Sequence, residues 1–171
     1  EERADWDADP LTSEGIFVFQ PSGLVANVAL GDRVRVTGEV QEFFGLTQIR
    51  ASEISVIQAG AVAPADIFSL AAPVRLPAAG VTLNQNGRFQ PDLERFEGML
   101  VTFPQTLTIS EQFNLDRFNE IRLYAGDAPG ERPFAFTQAN APSVAGFDAH
   151  LRAVGARTIT YDDGINAQNL P

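Results

Sequence analysis

Between Arg33 and Gln41 apolar and polar residues alternate one by one. Val34, Val36, Gly38 and Val40 fall on one face, and Arg33, Arg35, Thr37, Glu39 and Gln41 fall on the other. A period of two belongs to a strand with one face on a core and the other toward water. Gly31-Asp32 opens the run as a turn and Phe43-Phe44 breaks it. Gly45 then frees the backbone to reverse into a second β run, Leu46 to Ile49, so the pattern predicts a hairpin. Gly38, in mid-strand, predicts a bulge or a sharp coil. The other strands are expected to close a small barrel around this hairpin, with the valines inward.

Weaker β patterns surround it. Gly15 to Gln20 is apolar on both faces and ends at Pro21-Ser22-Gly23. If Ile16 and Val18 face the core, Phe17 and Phe19 point the other way, where aromatics are more often covered than left open as base-stacking platforms. Ser52 to Gln58 predicts a further strand. Residues 59 to 80 are rich in Ala and Pro, with Asp66 to Ala71 long enough for one helical turn. Asn84-Gln85-Asn86-Gly87 signals a turn, and Pro91 to Phe96 a short helical turn. Met99 to Phe103, Leu107 to Ser110, Ile121 to Tyr124, Phe134 to Thr137 and Thr158 to Tyr161 predict short strands. Between Ser143 and Gly155 the period becomes helical: Val144, Phe147, Leu151 and Val154 form a stripe, Ser143 can cap the start, and Gly155 can end it. Asp162-Asp163-Gly164 is a tight-turn signal, and with only Ile165 to Pro171 after it the return strand is expected to be missing. The expected fold class is all-β with one short helix, built as OB-fold-like Greek-key barrel units truncated at both ends. The expected divisions are 1–58, a linker over 59–90 that wraps the barrel, and 91–171 with a helix at about 143–154.

Composition narrows the chemistry. The absence of Cys excludes disulfides, thiol catalysis and Cys-ligated zinc. Twenty-two acidic residues against twelve basic ones leave a charge of −10, which opposes non-specific attraction to phosphate or anionic lipid, so any nucleic-acid contact must be local. All the basic residues are Arg, whose planar fork can stack and bind phosphate; genomic composition explains the bias as well. No apolar run reaches membrane-spanning length. The chain starts at Glu1-Glu2, as expected of a processed or excised piece.

Candidate sites are few. Asp5, Asp7 and Asp9 alternate like the opening of an oxygen-ligand calcium loop. Pro10 and Ile16 stand where an EF-hand needs Gly and Glu, which leaves a looser Ca2+ site or a plain solvated acidic segment. His150 is the only His and lies off the helical stripe, where solvation is the ordinary outcome. One His and no nucleophile elbow supply no hydrolase triad, and no catalytic residue is assigned.

Several segments together resemble a known family. They are Thr12-Ser13-Glu14-Gly15-Ile16-Phe17-Val18-Phe19, Gly31-Asp32-Arg33-Val34-Arg35-Val36-Thr37-Gly38, Glu42-Phe43-Phe44-Gly45-Leu46-Thr47 and Glu97-Gly98-Met99-Leu100-Val101. With them go Phe113-Asn114-Leu115-Asp116-Arg117-Phe118-Asn119-Glu120 and Asp162-Asp163-Gly164 with Gln168-Asn169. They resemble the region that precedes the catalytic domain in large secreted bacterial extracellular nucleases. The resemblance implies an OB-fold-like accessory region and an extracellular location. It also implies a C-terminal endonuclease/exonuclease/phosphatase-type partner domain in the same parent protein, with that domain's divalent metal outside this segment. The family's preceding strand, the strands after the Asp-Asp-Gly turn and the catalytic domain are absent from these 171 residues.

Three functions compete. A binding module would guide DNA with Phe43, Phe44 and Arg50 at the hairpin, and with Phe113, Asn114, Arg117 and Arg122 further along, through stacking and phosphate contacts. A calcium-stabilised acidic spacer would instead pack on another domain or chain, without touching nucleic acid. An autonomous enzyme ranks last.

Overall fold

The computed structural model describes residues 9, 12–24, 26–165 and 168–169. In chain order the strands are β1 (Phe17–Phe19), β2 (Arg33–Phe43), β3 (Leu46–Gln58), β4 (Ala72–Pro73), β5 (Val81–Leu83), β6 (Phe89–Pro91), β7 (Val101–Thr102), β8 (Thr108–Glu111), β9 (Ile121–Tyr124) and β10 (Thr158–Tyr161). Helix α1 spans Leu115–Phe118 and α2 spans Val144–Gly155. The fold is mainly β with few short helices. Among the described residues no helix is long and apolar enough to cross a membrane.

The chain divides into two compact units, Glu1–Pro73 with Leu93–Thr102, and Val74–Asp92 with Phe103–Pro171. The Ala- and Pro-rich stretch that composition presents as one linker is shared between them. Pro64–Leu70 forms a 3-10 helix and β4 pairs with β7 in the first unit, whereas Val81–Leu83 and Phe89–Pro91 form a hairpin in the second. That hairpin turns on Asn84, whose Oδ1 accepts from the N–H groups of Asn86 and Arg88, both at 3.0 Å.

The first unit is organised on a sheet of order β1-β3-β2, with β2 and β3 antiparallel and β1 parallel to β3. The register breaks twice, each time because β3 carries an extra residue. Ser52 is unmatched between the pairs Thr37↔Glu53 and Gly38↔Ala51, and Ile57 is unmatched between Arg33↔Gln58 and Val34↔Val56. The bulge foreseen at Gly38 therefore exists, with the added residue on the partner strand. A Cβ on Gly38 would stand 2.3 Å from the Arg50 carbonyl oxygen and 2.9 Å from the Ala51 Cα, so glycine is what lets the strands approach there. Val34 and Val36 are half-buried opposite Val56 and Ile54. Val40 does not follow them and is 66% exposed. Beyond the bulge burial changes sides, Gln41 being half-buried and Gln48 buried.

The motif at Glu97-Gly98 fastens this sheet. Glu97 Oε2 accepts from the Thr47 N–H at 3.0 Å, and the Glu97 carbonyl accepts from Ser13 Oγ. Gly15 and Gly98 cross so closely that a Cβ on Gly15 would lie 2.5 Å from the Gly98 carbonyl carbon. At the entrance to β2, Asp32 accepts from the N–H groups of Ala29 at 2.9 Å and Gly60 at 2.8 Å. These two bonds, Ala29 first, hold its pKa below the ordinary aspartate value.

The second unit carries a sheet of order β10-β9-β8, entirely antiparallel, and its core gathers Val74, Leu76, Tyr124, Ala125, Phe136 and Ala156. Ser143 caps α2, its Oγ accepting from the Gly146 N–H at 3.1 Å, as the sequence predicts. Gly155 is the last residue of α2, where the sequence places the helix end, with Ala156 as the cap, and a Cβ on it would meet the Phe89 Cβ at 2.4 Å. Its role is to let α2 settle on β6. Phe134 to Thr137 is not a strand. Pro133 offers no N–H to a ladder, and Gln138 Oε1 takes the Ala135 N–H at 2.9 Å, which coils the segment into a 3-10 turn over Phe136–Gln138.

Candidate nucleic-acid interface

Alternation on β2 and the registers to β3 and β1 place Phe17, Phe19, Phe43, Leu46, Gln48 and Arg50 on one face of the first sheet. Arg33, Arg35, Glu39 and Glu53 share that face. The opposite face carries Val18, Ile49, Ala51 and Ile54 with the valines. Phe17 and Phe19 are 47% and 41% exposed, so the expectation that another segment covers them is not met; β1 pairs at the sheet edge, and these rings flank the buried Gln48 and the exposed Arg50. Their exposure is the other outcome the sequence offers, whereas their place beside Gln48 and Arg50 comes from the register of β1 on β3, which joins positions about thirty residues apart and leaves no local signal.

The hairpin tip adds two more rings. Phe44 and Gly45 form the two-residue turn, both at positive φ, 54° and 84°. Such a turn suits Asn-Gly; a bulky aromatic in the left-handed region is strained. Phe44 gains little burial in return, being 78% exposed. Phe43 is 54% exposed and meets it edge-on, the ring centroids 4.7 Å apart. Arg50 lies opposite Glu39 on one side and Phe19 on the other, and among the described residues it makes no ion pair.

Apart from Phe113, the candidate residues of the second unit are more fully engaged. Phe113 is 88% exposed. Asn114 Nδ2 donates to Glu120 Oε2 at 2.7 Å, and Arg117 Nε donates to Gln168 Oε1 at 2.9 Å while its guanidinium lies over the Phe118 ring. Asn119, at φ 56°, donates from Nδ2 to Asp163 Oδ2 at 2.9 Å, and the Asn169 N–H donates to the Arg117 carbonyl at 3.0 Å. The two motifs around Arg117 and Asp163 therefore meet and hold each other. Arg122 stands apart in mid-sheet, ion-paired with Glu111, which also meets Arg88.

His150 is half-buried rather than fully exposed on the helix surface. Its Nε2 is 3.0 Å from the Phe134 carbonyl oxygen and its ring packs beside Phe134 and Phe136, on a cavity of about 350 Å³ that Phe147, Leu151 and Val154 of α2 also line. Asp5 and Asp7 lie outside the described residues. Among the described residues no three His, Asp or Glu side chains are grouped to hold a metal.

No family model, curated protein or solved structure matches this chain.

Proposed function

We propose that the chain is an OB-fold-like accessory region of a secreted bacterial nuclease, and that the first sheet holds DNA for a separate metal-dependent catalytic domain. The observation that carries the reading is Phe44: an aromatic in a strained turn, exposed, backed edge-on by Phe43, on the sheet that also exposes Phe17, Phe19 and Arg50. Backbone strain at an exposed aromatic points to a position kept for contact with something else. Unpaired bases stack on such rings and an Arg fork holds the phosphate between them. The face also gathers Arg33, Arg35 and Arg50 alongside Glu39 and Glu53 in a chain whose overall charge is −10. Catalysis belongs to the other domain, and this region positions its substrate.

A fluorescence-anisotropy titration with a single-stranded oligonucleotide tests this. Binding is expected at low ionic strength and should weaken steeply with salt. Phe44→Asn and Arg50→Ala should each weaken it, the former by ~1–3 kcal/mol for a lost stack. No binding at low salt overturns the proposal.

A further inference from the structure

We propose that a second copy of this chain docks on the outer edge of β2, antiparallel, joining two sheets into one. β2 is the longest strand at a sheet edge, and among the described residues it pairs only with β3. An open edge of this length is normally blunted by Pro, Lys or a bulge. β2 has no Pro and no Lys, and both extra residues, Ser52 and Ile57, sit on β3, so the outer edge of β2 is regular.

The sequence of β2 complements itself. Two copies paired about a twofold axis at Thr37 set Arg35 opposite Glu39 and Val34 opposite Val40, each twice, with Thr37 opposite its own copy. Opposite charges and β-branched pairs directly across a ladder are the favourable cross-strand contacts. Arg35 and Glu39 are exposed and make no ion pair among the described residues, and Val40 is 66% exposed. The pairing would engage all three. Neighbouring registers do less. A shift toward Phe43 puts Val34 opposite Glu42, a shift the other way leaves Val40 uncovered, and a slip by one residue sets the valine face against the arginine face. A twofold contact of this kind is isologous and closes at a dimer.

Sedimentation equilibrium on the 171-residue chain, from micromolar to millimolar concentration, should fit a monomer–dimer equilibrium. Arg35→Glu and Glu39→Arg should each weaken the dimer by about tenfold, since each turns two attractive pairs into repulsive ones. The double exchange should restore it, and Val40→Glu should weaken it independently. Circular dichroism of each variant shows whether the fold survives. A monomer at every concentration, a mass above the dimer, or single variants that associate like the unaltered chain would overturn the proposal.

Discussion

Phe44 and Gly38 show how single residues on one hairpin divide between contact and architecture. The strained Phe44 backbone costs stability that an Asn at the same position would not. Phe44→Asn should therefore raise unfolding stability by ~1 kcal/mol in urea melts while it weakens nucleic-acid binding. A loss of stability would mean that the ring serves packing. Gly38 is the opposite case. Its Cβ position lies 2.7 Å from Ile49 Cγ2 and 2.3 Å from a backbone oxygen, neither of which can yield cheaply. Gly38→Ala should lower stability by ~1–3 kcal/mol. An unchanged urea midpoint would show that the strands can part there without cost.

Whole elements depend on their ends. Helix α2 starts on the Ser143 hydroxyl and carries an Asp148–Arg152 ion pair on its exposed side, with Nε to Oδ2 at 2.8 Å. Removing the cap in Ser143→Ala should destabilise the second unit by ~1 kcal/mol in thermal melts, whereas removing the surface pair should cost less. The entrance of β2 depends on the Asp32 carboxylate. Its pKa is lower in the folded chain than in the unfolded one, so the stabilisation is whole above the ordinary aspartate value of 3.8 and is lost as pH falls through the lowered folded value. Acid melts should show that loss below the ordinary value, and Asp32→Asn should remove it. Equal acid slopes for the two proteins would assign the effect to other carboxylates.

At the scale of the molecule, charge and folding are read by different residues. The excess of acid is spread along the chain, yet the arginines of β2 and β3 gather on one sheet face. A cation held by Asp5, Asp7 and Asp9 would act on the folded state alone, so calcium should raise the melting midpoint and a chelator should return it. A midpoint indifferent to both removes those three as ligands.

Elements whose information is local were legible in the sequence. The β2 to β3 hairpin, the turn at Asn84-Gly87, the Ile121–Tyr124 and Thr158–Tyr161 strands and the Ser143 cap all follow from periodicity and turn chemistry within a few residues. Of the candidate face, Phe43, Phe44 and Arg50 were visible because they flank the hairpin turn. Long-range approach decided the rest. Phe17 and Phe19 joined the face through a parallel register, Glu97 reached Thr47 from fifty residues away, and Gly155, besides ending its helix, leaves room for Phe89. The reason is physical: a two-residue period says which side chains share a face, whereas only the packed chain decides what covers that face, which is why Val36 is half-buried and Val40 meets water.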